Sequence, residues 1–188
     1  VESWAVGDAT VYDFGQNCGA YARIAVSGPA GAHVRVEFSE VLGPDRAFDN
    51  RNFRSARAEQ HYTLKSEGVE THAPMFTFFG FRYARVTLTG GARLVSIQQI
   101  PVSSVPLLAG GFTCGEPSVN RLVLNTIWSQ RSNFIEIPTD CPQRDERLGW
   151  RHSWRAGGLL QLSRQVAGLG PQLAAIGTAR DAGRHLGH

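Results

Sequence analysis

Cysteine is scarce in this 188-residue chain: Cys18, Cys114 and Cys141 are odd in number and lie far apart, forming neither a CxxC pair nor a disulfide framework. Free thiols are expected, which favours a cytoplasmic location. No apolar run approaches the roughly 18 residues needed to cross a bilayer, so no transmembrane helix and no membrane partner are expected. No basic-then-apolar leader precedes Val1-Glu2-Ser3, and no targeting signal is visible. The six histidines (His33, His61, His72, His152, His185, His188) show no HxH, HExxH or Cys/His ligand spacing, and no loop is acidic enough for calcium. No metal and no cofactor are expected.

What is present is the composition of a soluble globular protein, 42% hydrophobic and 19% charged, long enough to bury a real core. The net charge of +3 is unevenly spread. Residues 1–150 carry a net −1 and residues 151–188 a net +4. A nucleic-acid surface needs basic residues on a structured face with stacking aromatics, and the basic tail offers only Trp154, so no nucleic-acid partner is expected.

The first hundred residues read as antiparallel strands. Val34, Val36 and Phe38 alternate with His33, Arg35 and Glu37, the period of a half-buried strand. Tyr21 to Val26 also alternates and leads through Ser27-Gly28-Pro29-Ala30-Gly31 into residues 32–39, which predicts a hairpin between the two. Further strands are predicted at 60–65, 76–79, 81–89 (ended by Gly90-Gly91) and 93–101, with residues 42–57 as a long surface loop. Phe76, Phe78, Phe79, Phe81 and Tyr83 are expected in the core rather than as a sugar platform. Short strands without intervening helices argue for an antiparallel β-sandwich, jelly-roll-like.

From Pro117 the period changes to that of a helix over about 117–133. Val119, Leu122, Val123 and Ile127 recur on one face, with Leu124 and Trp128 widening it. The stripe fits a helix packed among others, which places a boundary near 107–111. Left uncovered, it invites self-association through Leu122, Val123 and Ile127. Residues 151–188, with seven glycines, are expected to be poorly ordered or marginally helical.

The densest chemistry lies in Pro138-Thr139-Asp140-Cys141-Pro142-Gln143-Arg144-Asp145-Glu146-Arg147-Leu148-Gly149-Trp150, with three carboxylates, two guanidiniums and an indole. Read from their types alone, Asp140 suits a turn or cap, Glu146 a surface acid paired with Arg144 or Arg147, and Trp150 a core position. Cys141 reads as a small buried residue.

Asp140 to Trp150 closely resembles the signature of the bacterial α-L-rhamnosidases of glycoside hydrolase family 78. Residues 125–134, Pro138-Thr139, His61 to Lys65 and Phe79-Gly80-Phe81-Arg82-Tyr83 resemble the same family in the right order. The likeness covers residues 8–150. It implies a mainly β fold, with an antiparallel β-sandwich (1–108), the first helix of an incomplete six-fold (α/α) barrel (109–150) and a non-family tail (151–188). It further implies inverting hydrolysis of terminal non-reducing α-L-rhamnose, with rhamnose-containing glycosides as partners. By the resemblance Glu146 is the general acid, and Asp140, Arg144, Asp145 and Trp150 bind the sugar. The alternative is a non-catalytic carbohydrate-binding or interdomain sandwich.

The family signature continues Thr-Gly-Asp after the tryptophan, whereas this chain reads Arg151-His152-Ser153. The change coincides with the enrichment in Arg, Gly and Ala. Out-of-frame reading of a GC-rich gene would produce it, as would a genuine short variant or a misjoined gene. The family's general base lies far beyond the quoted segments, so a truncated chain with negligible hydrolysis of its own is expected.

Overall fold

The computed structural model describes residues 1–105, 110–135, 137–144 and 146–147; at 137, 138, 140, 141, 144, 146 and 147 the description concerns the backbone. Long alternating segments make the first hundred residues an antiparallel β domain. Its strands are β1 (Glu2–Val6), β2 (Ala9–Ser27), β3 (His33–Ser39), β4 (Val41–Leu42), β5 (Phe48–Asp49), β6 (Glu59–Thr63), β7 (Val69–His72), β8 (Phe79–Thr89) and β9 (Arg93–Pro101).

Strand β2 organises the domain. Its first half lies between β1 and β8, with Val11 opposite Arg85, and its second half lies between β7 and β9, with Ile24 opposite both His72 and Ile97. The change of neighbours follows a register shift between Asp13 and Cys18, where Gly15 takes a φ of +79° and its N–H donates to Asp13 Oδ1 at 2.7 Å. A bulge bends a strand and increases its twist, which lets one strand serve two layers. One layer runs β1-β2-β8-β3-β6, and the other is formed by β7 and β9 on the second half of β2. Between them lies the core, where Ile24 and Val26 of β2 meet Val34, Val36 and Phe38 of β3 and Phe81 of β8.

The hairpin predicted between residues 21–26 and 32–39 does not form, because β8 stands between β2 and β3. Both segments bury their apolar faces in the same core, but from opposite layers. The connection after Ser27 is therefore a crossover, not a hairpin turn. It packs beside the Gly90–Gly91 turn: a Cβ on Gly28 would lie 2.9 Å from the Gly91 carbonyl oxygen.

The segment 42–57 is more structured than a surface loop. It holds the short β4–β5 ladder and two 3-10 turns, and it sends Phe53 into the core at 1% exposure. The predicted strand 76–79 is absent except for Phe79, which begins β8. Of the aromatic group, Phe81 and Tyr83 are buried and Phe79 packs on the core, but Phe76 is fully exposed with a φ of +60°. Alternation fails there because the residue sits in the turn that reverses the chain into β8.

Helix α1 (Pro117–Asn133) follows. Pro117 occupies the first turn, where its missing N–H costs nothing, and the Glu116 carboxylate caps the helix by accepting from Ser118 N at 3.2 Å. Val123 and Ser132 are buried, and Trp128 packs against the core of the β domain. The helix thus lies on the sheet. Of the stripe expected to self-associate, Val123 is enclosed whereas Leu122 remains 64% exposed. Among the described residues no helix is long and apolar enough to cross a membrane.

Candidate functional site

The signature segment begins where α1 stops. The Phe134 N–H closes the helix on Gln130 O, and the chain then reverses through β10 (Phe134–Ile135) and β11 (Ile137–Cys141). Two tethers fix this reversal. The Phe134 carbonyl accepts from Ser104 N at 2.7 Å, and the buried Thr139 hydroxyl donates to Asn133 O at 3.4 Å.

A 3-10 turn, Pro142–Arg144, leads from β11 into β12 (Glu146–Arg147), which pairs back on β11. Thr139 stands opposite Arg147 and Cys141 opposite Glu146. Two residues on one strand against one on the other leave Asp140 as the extra residue of a bulge, an arrangement that re-aims side chains and is frequent beside active sites. The backbone therefore gathers Asp140 at the bulge, Arg144 at the end of the turn and Glu146 on the facing strand. Asp145, Trp150 and the segment 151–188 lie outside the described residues.

The turn has a defined seat. Gly19 of β2 and Gly80 of β8 are cross-strand partners. A Cβ on Gly80 would stand 2.5 Å from the backbone nitrogen of Gln143, and one on Gly19 would stand 3.0 Å from Ile135 Cδ1 and 3.1 Å from Ser132 O. Neither glycine has a positive φ, so it is close approach, not conformational freedom, that excludes a side chain. The helix end rests on one glycine and the signature turn on the other.

The framework beneath the seat is held by charge. Arg82 embraces Asp13 with two hydrogen bonds of 2.8 Å, and this guanidinium holds the Asp13 carboxyl below the usual carboxylate range. Beside Gly19, the buried Cys18 thiol is pushed up to about 11 by desolvation, which makes it inert as a nucleophile near neutral pH. Among the described residues no group of three or more potential metal ligands occurs. Sequence reasoning quoted Gly80 within Phe79-Gly80-Phe81 but gave Gly19 no role. A glycine inside a strand was the available signal, since it marks close approach of another backbone.

A two-layer antiparallel β domain that leads through one helix into a carboxylate-bearing hairpin defines a concanavalin-like domain joined to the start of a helical one. The chain belongs to the bacterial alpha-L-rhamnosidase concanavalin-like domain family, whose model matches residues 5–103. Residues 108–162 match the bacterial alpha-L-rhamnosidase 6 hairpin glycosidase domain. An alpha-L-rhamnosidase from Streptomyces avermitilis is 45% identical over 141 residues, covering 74% of this chain and 14% of the relative. One from Formosa agariphila is 36% identical over 146 residues, covering 76% and 16%. The crystal structure of the Streptomyces avermitilis alpha-L-rhamnosidase complexed with L-rhamnose superposes with a TM-score of 0.69 at 43% identity, covering 77% of this chain and 14% of that one. The chain thus spans about one seventh of the length of these relatives.

Proposed function

We propose that this chain supplies the proton-donor loop of an α-L-rhamnosidase that hydrolyses terminal α-L-rhamnose with inversion. Residues 1–108 form the supporting β domain, and residues 109–150 begin the catalytic domain. Inverting hydrolysis needs one carboxylic acid to protonate the leaving oxygen and a separate base to activate water. Glu146 is the acid. Asp140 accepts hydrogen bonds from sugar hydroxyls, Arg144 and Asp145 complete the polar contacts, and Trp150 offers an apolar face to the ring. The observation that carries this reading is the register of the hairpin: Glu146 opposes Cys141, immediately beside the bulged Asp140, so the two carboxylates belong to one small backbone unit. The base is not part of that unit.

The test is a chimera in which residues 1–147 replace the matching segment of the Streptomyces avermitilis relative. Hydrolysis of an aryl α-L-rhamnoside is expected, and Glu146→Gln should lower kcat by about 10²–10⁴. Full activity in the Glu146→Gln chimera would refute the assignment. The 188-residue chain alone, which spans about one seventh of its relatives' length, is expected to show negligible turnover.

A further inference from the structure

Next to the seat of the signature turn, a cleft of about 310 Å³ opens between the sheet and α1, with Gly19 and Gly80 in its floor and Pro142 at one edge. Its volume lies at the lower end of the range for small-ligand pockets, enough for a single sugar ring. We infer that this cleft is a second saccharide-binding site, distinct from the hairpin carboxylates, that takes one neutral pyranose unit.

Three observations carry the inference. First, the cleft holds a carboxylate that is oriented by amides. Glu40 Oε1 accepts from Asn17 Nδ2 at 3.0 Å and Oε2 accepts from Asn52 Nδ2 at 2.9 Å. Among the described residues no cation forms an ion pair with Glu40. Each oxygen keeps a second lone pair, so the group is fixed in place and still able to accept from a hydroxyl. Second, the facing wall is polar but uncharged. Asn125 and Ser129 are exposed one helical turn apart on α1, and Asn133 continues the same row with its Nδ2 fixed on Ser129 O at 2.7 Å. Amides and hydroxyls that donate and accept suit a ligand that is mostly hydroxyl groups. Third, the half-buried Trp128 lines the same cleft and supplies an aromatic surface for the C–H side of a sugar ring.

Gly19 and Gly80 line this cleft beside the helix end and the signature turn that occupy their Cβ positions.

The choice of L-rhamnose as probe rests on the proposed function, but the site does not use the hairpin residues. The test is a titration of the 188-residue chain with L-rhamnose, followed by the amide and indole resonances of an isotope-labelled sample. Saturable shifts at Asn17, Trp128 and Ser129 are expected. Asn125→Ala, an exposed change that should leave folding intact, and Glu40→Gln should each weaken binding by about tenfold, the loss expected for one hydrogen bond in such a site. Shifts confined to residues 139–147, or no saturable shift up to the solubility limit of the sugar, would overturn the cleft. Neither result bears on the chimera. Conversely, an inactive chimera with intact cleft shifts would sink the proton-donor assignment and leave this site standing.

Discussion

Gly19 and Gly80 face each other across β2 and β8, and together they form the bare surface on which the end of α1 and the signature turn rest. The two contacts differ in what could yield. At Gly80 the obstacle to a Cβ is backbone, at 2.5 Å from Gln143 N, whereas at Gly19 the nearest atoms, the end of the Ile135 side chain at 3.0 Å and the Ser132 carbonyl oxygen at 3.1 Å, need give way by far less. Gly80→Ala should therefore displace the turn and cost about 1–3 kcal/mol, in the range of overpacked sites, with Gly19→Ala costing less. Urea denaturation orders the two variants, and loss of hydrogen-exchange protection confined to residues 139–147 in Gly80→Ala would show that the turn moves. Equal stability of both variants and the parent would mean that the seat is soft.

Charge on the β domain should show a similar asymmetry. Glu37, with its side chain only 7% exposed, accepts two hydrogen bonds from Arg85 at 2.7 and 2.8 Å and an ion-pair contact from Arg35 at 3.0 Å. Arg35 is the more exposed partner and also binds Glu59. Arg85→Ala should cost about 1.5–3 kcal/mol by leaving a buried carboxylate short of partners. Arg35→Ala should cost about 0.2–1 kcal/mol. Thermal melts of the two variants are the check, and the reverse order would count against the assignment.

Thiol reactivity follows burial. Cys18 is 3% exposed with its thiol pushed up to about 11, whereas Cys114 is only half-buried. Alkylation of the native chain at pH 8, read site by site by peptide mass spectrometry, should label Cys114 and spare Cys18 until denaturant is added. Rapid labelling of Cys18 in the native state would show that the sheet opens beneath the helix.

Acid should weaken the fold in a defined window. The Asp13 carboxyl is held down by the Arg82 hydrogen bond, Glu59 by Arg35, and Glu70 to about 2 by the hydroxyl of Tyr62 with help from Ser66 and Lys65 N–H groups. Groups depressed in the folded state contribute stability above their unfolded values, near 4, and lose it as the pH falls through the folded values. Urea midpoints should accordingly fall most steeply between about pH 4 and 2. Glu70→Gln should flatten part of that slope, and an unchanged slope would remove Glu70 from the explanation.

Much of this was legible in the chain itself. The helix from Pro117 to Asn133 follows from its periodicity and from the proline at its start, and strands 33–39 and 93–101 follow from alternation and flanking turns. The family, too, is written in the order of short segments from His61 to Glu146. Local patterns report local structure, and each of these features is closed within its own stretch of residues.

Other features depend on which segments meet. Alternation in 21–26 and 32–39 says that both bury one face, but not that they bury it from opposite layers with β8 between β2 and β3. Nor does the pattern 76–83 say that Phe76 stands in solvent while Phe81 is enclosed.

The sequence by itself determined the residue types of the proposed site, because Asp140, Arg144 and Glu146 lie within seven consecutive positions. Only the tertiary structure decided where that segment sits. Two glycines sixty-one residues apart had to become neighbours before the turn could rest on them, and Glu40 had to come opposite Asn125 and Ser129 before the cleft existed. Such contacts are fixed by the pairing of β2 with β8 and by the packing of α1 on the sheet. No single stretch of the chain contains either.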